Sequence, residues 1–156
     1  MQRLFIGRHG RDNYETGGLL PEGEADAQDM AKRLREFGVG RGVILLASDR
    51  LRTVQTAEII KRELAAPTIV RSPFIRKAGN NPQPVRNLWS FTGKVLEACG
   101  VDHAEADVMM VTHMPLVQAA AGQPLQYGGV YEVPESWQNP RFIPRLEKLI
   151  DNPENW

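Results

Sequence analysis

Histidine and arginine residues follow three short apolar runs of the sequence. Arg8-His9-Gly10 comes directly after the first run, the segment 48–52 follows the second, and His113 follows a later one. Arginine can bind a phosphate group through two parallel hydrogen bonds, and a neutral imidazole can attack phosphorus. Transfer of a phosphoryl group needs donors for its oxygens together with a nucleophile. These segments therefore predict phosphoryl chemistry, with His9, Arg8, Arg52 and His113 as the candidate residues.

The apolar runs have the length of strands, and amphipathic stretches separate them. Predicted strands cover residues 3–7, 43–47, 68–70, 108–111 and 129–133, and predicted helices cover residues 21–37, 49–64, 84–99 and 116–121. In the second helix, Ser48 or Asp49 is expected to be the N-cap. Strands that alternate with helices indicate an α/β fold with a mostly parallel sheet, and we expect a three-layer α/β/α sandwich.

The predicted fold explains why the candidate residues belong together. Ligands of open parallel sheets bind beyond the carboxyl ends of the strands. Arg8, His9, Ser48 and His113 all come directly after predicted strands, so we expect them to meet at one edge of the sheet. Arg52, in the first turn of the second helix, can point back at the same pocket, and Gly10 would let the backbone pass close to a bound anion.

Composition and charge exclude several classes of function. The chain has 156 residues, about one domain, and its 19 basic residues balance its 19 acidic ones. This neutrality argues against a nucleic-acid or membrane-surface partner. Cys99 is the only cysteine, which excludes a disulfide within the chain and multi-cysteine zinc sites. No apolar run is long enough to span a membrane, and we expect a soluble cytoplasmic protein.

Two further groups of residues have a structural and a functional interpretation. Cys99 falls on the apolar face of a predicted helix, so we expect a small buried hydrophobic residue rather than a nucleophile. The basic residues Arg71, Arg76 and Lys77 lack nearby acidic residues in the sequence. They either recognise an acidic substrate or, as we expect, form solvated surface charge.

Four segments, in order, resemble the histidine phosphatase (phosphoglycerate mutase-like) superfamily, and most closely its small phosphohistidine phosphatases. Arg8-His9-Gly10 resembles the Arg-His-Gly signature, and residues 48–57 are similar to the motif Ser-Asp-Leu-x-Arg-Ala-x-Gln-Thr-Ala. Residues 19–23 resemble a Leu-Thr-x-x-Gly segment, with Leu20 where Thr is usual. Residues 111–113 resemble the strand that delivers a second catalytic histidine.

The resemblance implies a role for each matching residue. His9 would be the nucleophile that accepts the phosphoryl group, Arg8 and Arg52 would clamp its oxygens, and His113 would be a further donor. Gly10, Ser48 and Asp12 would border the bound group. The resemblance implies neither a metal nor a cofactor. We expect a single domain of this type over residues 1–156, with a catalytic core at about 2–133. The sequence pattern indicates a proline-rich tail at 134–156, in which residues 145–150 look helical.

The chain departs from the family at the usual general acid. Many members carry a Glu shortly after the third strand, but residues 73–79 contain no carboxylate, and Lys77 stands near the expected place. Three alternatives remain open. In the first, the substrate is an activated phosphoryl donor such as phosphohistidine. In the second, Asp12, Glu15 or Glu22 supplies the acid. In the third, the protein binds phosphate without turnover.

The sequence thus predicts a metal-independent phosphatase that acts on a phosphomonoester or a phosphohistidine through a covalent intermediate on His9. A phosphate- or phosphoprotein-binding module of the same fold is the alternative. A small phosphosugar mutase is a lesser one, because about 55 residues between the second motif and Thr112 leave little room for a cap. The expected partner is a phosphorylated protein or a small phosphorylated metabolite, and the expected state a monomer or homodimer.

Overall fold

The computed structural model describes residues 1–80 and 87–136. The strands are β1 Leu4–Arg8, β2 Ile44–Ala47, β3 Ile69–Arg71, β4 Val108–Thr112 and β5 Val130–Val133. The helices are α1 Pro21–Glu36, α2 Leu51–Leu64, α3 Pro73–Asn80, α4 Leu88–Ala98 and α5 Met114–Ala121. The start of the third predicted helix, at residues 84–86, and most of the predicted tail lie outside the described residues, including the helix predicted at 145–150.

The strands form one sheet in the order β3-β2-β4-β1-β5. The first four are parallel to one another, and β5 is antiparallel to β1 at the edge. Arg8 pairs with Thr112, and Ala47 pairs with Val111, so β1, β2 and β4 end at the same level. This register places the residues after all three strands at one edge of the sheet, as predicted.

Alternate residues of the strands feed two separate cores. One face of the sheet carries α1 and α2, which bury Phe5, Leu45 and Met109 against it. The other face packs against α3, α4 and α5 through the neighbouring residues Leu46 and Met110. Because side chains alternate between the faces of a strand, this pattern requires a layer on each side. The predicted α/β/α sandwich with a mostly parallel sheet is confirmed.

Helices α2 and α3 differ from the predictions. Helix α2 begins at Leu51 with Arg50 as its N-cap and no capping side chain, so the predicted cap at Ser48 or Asp49 is wrong. The hydroxyl of Ser48 is instead bonded to other side chains. Helix α3 was not predicted, because its eight residues follow a strand of only three residues and contain a glycine. It packs against α5.

The expectations for Cys99 and the basic segment are corrected in part. Cys99 is exposed, because α4 ends at Ala98 and Cys99 is its C-cap rather than part of the apolar face. Arg71 does have an acidic partner, Glu58, at 3.6 Å, and Arg76 lies 2.7 Å from Asp49. The partners come from α2 and the loop before it, which linear sequence could not show. Lys77 lies in α3, and its side chain is outside the described part.

The length and hydropathy of the helices decide whether any of them could cross a membrane. In the described part of the chain, no helix combines the length and apolar character that crossing a bilayer requires.

Helix α1 begins without the side-chain cap that a Thr would supply. Its N-cap is Leu20, whose extended backbone has φ −74° and ψ 164°, and no side-chain oxygen accepts from the first turn. An N-cap threonine accepts a hydrogen bond from an N–H of that turn. We therefore expect Leu20→Thr to be more stable than the isosteric Leu20→Val by about 1 kcal/mol in urea unfolding. Equal stabilities would show that a hydroxyl at this position does not cap α1.

Candidate active site

Three strand ends and one helix bring the predicted residues together. Arg8 ends β1 and is followed by His9, Ser48 follows β2, and His113 follows β4. Arg52, in the first turn of α2, reaches both histidines. The imidazole centroids of His9 and His113 lie 5.4 Å apart. The structure thus assembles the cluster that the sequence predicted.

The Arg52 guanidinium lies between the two imidazoles. Its Nε donates to His9 Nε2 at 3.2 Å, and its Nη2 lies 3.3 Å from His113 Nδ1. A guanidinium can only donate hydrogen bonds, so both histidine nitrogens must accept. Both imidazoles are therefore neutral, with His9 protonated on Nδ1 and His113 protonated on Nε2.

His9 has its second nitrogen fixed by the backbone. Its Nδ1–H donates to the carbonyl oxygen of Gly10 at 2.7 Å, which leaves Nε2 as the nitrogen that accepts from Arg52. Burial lowers the pKa of His9 to about 4, and the charges of Arg52 and Arg8 act in the same direction. The ring is therefore neutral at pH 7, which is the form that a nucleophile requires.

His113 is held by two hydroxyl groups in series. Its Nε2–H donates to Ser48 Oγ at 2.9 Å, and Ser48 Oγ lies 2.6 Å from Thr53 Oγ1. Burial, followed by the charge of Arg52, lowers the pKa of His113 to about 3. Ser48 is fully buried, so its hydroxyl positions the histidine from behind rather than lining the pocket.

Close backbone packing requires a glycine at position 10, and the predicted approach of its backbone to a bound anion stays a prediction. A Cβ at this position would lie 2.2 Å from the carbonyl oxygen of Gly23 in α1, so the loop after β1 packs directly on the helix backbone. The Gly10 N–H is already bonded to Thr56 Oγ1 at 3.1 Å. Gly10 therefore contributes close packing and the carbonyl that orients His9, and its N–H is not available to an anion.

The side chain of Arg8 makes two contacts and has one buried N–H group that is not hydrogen-bonded in the described part of the chain. Its Nη1 donates to the carbonyl of Leu125 at 3.3 Å, and its guanidinium carbon lies 3.5 Å from the ring centroid of Tyr127. Its Nε–H is buried and, within residues 1–80 and 87–136, meets no acceptor. A buried donor without a partner is costly, so this atom suits a ligand oxygen.

The candidate acids lie at different depths. Asp12 is partly buried, and its charge raises the pKa of His9, which places this carboxylate near the nucleophile. Glu15 and Glu22 are both exposed. Among the described residues, no group of three or more His, Cys, Asp and Glu side chains is arranged to hold a metal ion.

The structure adds several residues to the site that the sequence did not assign to it. Thr53 stands where the family motif has Ala, and this difference was a usable signal for the hydroxyl that supports Ser48. Gln55 and Thr56 match two positions of the second motif. Their side chains accept hydrogen bonds from the backbone N–H groups of Leu19 and Gly10 and so hold the loop after β1. Tyr127 had no signal beyond an aromatic residue before two glycines.

The two lowered pKa values predict a pH dependence of stability. The unfolded chain binds protons at these histidines near pH 6.5, whereas the folded state resists protonation until about pH 4 for His9. Stability should therefore fall as the pH drops from about 6.5 to 4, by on the order of 3 kcal/mol for His9.

In urea unfolding at stepped pH, His113→Gln should show a shallower decline than His103→Gln. His103 is a matched control because it bonds to the Met1 amino group, near the amino ends of the strands. Equal slopes in the two variants would contradict the assignment.

A protein-family model matches the N-terminal part of the chain. Residues 4–75 match the model of the histidine phosphatase superfamily (branch 1). This range contains the Arg-His-Gly segment and the whole second motif. No curated protein matches the chain.

Solved structures extend the similarity over most of the chain. A protein histidine phosphatase SixA complexed with tungstate is 23% identical and has a TM-score of 0.57, covering 88% of this chain and 96% of that one. A SixA from Agrobacterium tumefaciens, described as a phosphohistidine phosphatase by inference, is 17% identical with a TM-score of 0.60 and coverages of 87% and 92%. A mycobacterial glucosyl-3-phosphoglycerate phosphatase with VO3 is 14% identical, with a TM-score of 0.54 and coverages of 85% and 90%.

Because all three sequence identities are low, these structural similarities show a common fold only. The sequence pattern over residues 4–75 and the fold of the described chain are those of the histidine phosphatase superfamily, which confirms the predicted resemblance.

Proposed function

We propose that this protein is a metal-independent phosphatase that works through a covalent phosphohistidine on His9. The observation that carries the proposal is the state of that ring. Its Nδ1 proton is donated to the Gly10 carbonyl, and its unprotonated Nε2 accepts from Arg52. A neutral imidazole with a fixed tautomer needs no further activation to attack phosphorus.

The surroundings of His9 suit an oxyanion. Arg52 and the unsatisfied Nε of Arg8 supply cationic donors, and helices α2 and α5 both begin at the site. Neither helix has an acidic residue in its first turn, so no carboxylate of that turn competes for the positive end of the helix dipole. Two structures of the same fold were solved with phosphate-like oxyanions, tungstate and VO3, which supports this use of the pocket.

In the first half of the proposed reaction, the lone pair of His9 Nε2 attacks phosphorus. A nitrogen–phosphorus bond forms while the bond to the leaving group breaks, and the leaving group departs with that electron pair and gains a proton. Arg8 and Arg52 bind the phosphoryl oxygens, so charge on these atoms is stabilised in the transition state. The bond from Arg52 to Nε2 must be released as this nitrogen reacts.

In the second half, a water molecule attacks phosphorus and the bond to His9 breaks. Inorganic phosphate leaves, and the imidazole returns to its neutral form. His113 can donate to a phosphoryl oxygen only after its Nδ1 gains a proton, because this atom accepts from Arg52 in the free protein. Ser48 would still accept from Nε2 in the resulting imidazolium and would hold the ring in place.

The proposed substrates are phosphoryl groups on good leaving groups. The charges that lower the pKa of His113 are those of Arg52, His9, Arg50 and Arg76, with no carboxylate among them. Asp12 is the carboxylate that acts on His9, so we propose it as the proton donor where one is needed. A phosphohistidine requires less protonation than an alkyl phosphate. Two similar folds belong to SixA proteins, one named as a protein histidine phosphatase and one as a phosphohistidine phosphatase.

The test is a panel of phosphohistidine peptides, phosphotyrosine peptides, sugar phosphates and a generic aryl phosphate. We expect turnover without added metal, fastest with phosphohistidine or the aryl ester. His9→Ala should lower kcat/KM by about a thousandfold or more, as removal of a nucleophile does in other enzymes. His103→Ala is the matched control, since this third histidine contacts Met1 and Glu97 far from the pocket.

Two results would overturn the proposal in different ways. Unchanged hydrolysis in His9→Ala would show that His9 is not the nucleophile. Binding of orthophosphate or vanadate without turnover of any substrate would favour the phosphate-binding module. Transfer between two positions of a sugar phosphate, rather than release of phosphate, would indicate a mutase.

A further inference from the structure

We propose that Tyr127 is a positioning residue for Arg8. In this role its ring packs against the guanidinium and leaves the N–H groups that are not bonded to Leu125 free for an oxyanion. The inference rests on the proposed function, because it assigns a task to Arg8 in binding the phosphoryl group. Tyr127 belongs to the segment between α5 and β5, which no motif identified as part of the site.

The segment 125–129 is built around Arg8. Arg8 donates from its backbone N–H to the carbonyl of Gly129 at 3.2 Å and accepts from the N–H of Gly128 at 3.0 Å. Its Nη1 donates to the Leu125 carbonyl at 3.3 Å, and its guanidinium carbon lies 3.5 Å from the Tyr127 ring centroid. Backbone and side chain of one arginine are thus fixed by a single turn.

The turn is itself anchored to α1. Gly128 has φ +74°, a conformation that favours glycine, and a Cβ there would lie 2.8 Å from the carbonyl oxygen of Asp26. The turn is closed by a bond from the Gly129 N–H to the carbonyl of Gln126 at 2.9 Å. The ring of Tyr127 therefore projects from a backbone with little freedom, although 37% of the residue is exposed.

An aromatic face is a suitable partner for a cation that must bind an anion. It attracts the guanidinium through its π electrons and occupies none of the N–H groups. A carboxylate would use those donors and cancel the charge, and none of the ion pairs formed within the described residues includes Arg8. The Nε of Arg8 stays buried and unbonded under this arrangement, ready for an acceptor.

Tyr127 also borders the nucleophile. Its ring centroid lies 5.7 Å from that of His9, so the tyrosine forms one wall beside the reacting nitrogen. Loss of the ring would leave Arg8 free to turn toward solvent, while His9, Arg52 and His113 would keep their mutual bonds. The expected defect is therefore in binding of the oxyanion, with little change in the chemistry that follows.

The experiment measures the dissociation constants of orthophosphate and orthovanadate, together with kcat and KM, in the full chain. Tyr127→Leu should weaken both oxyanions and raise KM by about tenfold, and Tyr127→Phe, which keeps the ring, should stay within about twofold of wild type. Tyr127→Gln is a second ring-free variant for use if the leucine variant fails to fold. Tyr14→Leu, at a fully exposed tyrosine, is the matched control.

A double-mutant cycle separates positioning from a general structural effect. If Tyr127 acts through Arg8, Tyr127→Leu should weaken oxyanion binding in wild type and have no further effect in Arg8→Met. The same loss in both backgrounds, or equal loss in Tyr127→Phe and Tyr127→Leu, would overturn the proposal. Oxyanion binding that survives Tyr127→Leu unchanged would overturn it as well, while His9-dependent turnover in wild type would leave the proposed function intact.

Discussion

The hydrogen bonds of Arg52 to His9 and His113 organise the site. Because a guanidinium never accepts a hydrogen bond, its position determines which nitrogen of each imidazole carries the proton. The same positive charge, together with burial, keeps both rings neutral by lowering their pKa values. The remaining contacts extend this arrangement outward, through the Gly10 carbonyl behind His9 and the Ser48 hydroxyl behind His113.

Close backbone packing brings Arg52 and His9 within reach of each other. Gly10 and Gly23 allow the loop after β1 to lie directly on α1, where a Cβ on either residue would collide with a carbonyl oxygen. Thr56 then ties the same loop to α2, the helix that carries Arg52. The level ends of β1, β2 and β4 supply the other half of the geometry. The glycine and hydroxyl residues of the motifs thus serve mainly to hold the reactive residues in place.

Much of the fold and of the reactive core could be predicted from the sequence. The runs that became β2 and β4 are apolar throughout because they are buried on both faces, and α1 has a clear helical period. Contacts between segments distant in sequence could not be predicted. The ion pair of Arg76 with Asp49 and the stacking of Tyr127 on Arg8 depend on tertiary positions that no local pattern encodes. The burial of Ser48 likewise follows from the packing of α2 against β2.

The most direct test of the account is chemical identification of the reaction intermediate. A substrate with a radiolabelled phosphoryl group is mixed with the enzyme, quenched in alkali within the first turnover, and the digested protein is mapped by mass spectrometry. We expect an acid-labile, alkali-stable label on His9, attached through Nε2, because Nδ1 is bonded to the Gly10 carbonyl. A label on His113 or another residue, or single-turnover phosphate release with no labelled protein at any time point, would contradict it.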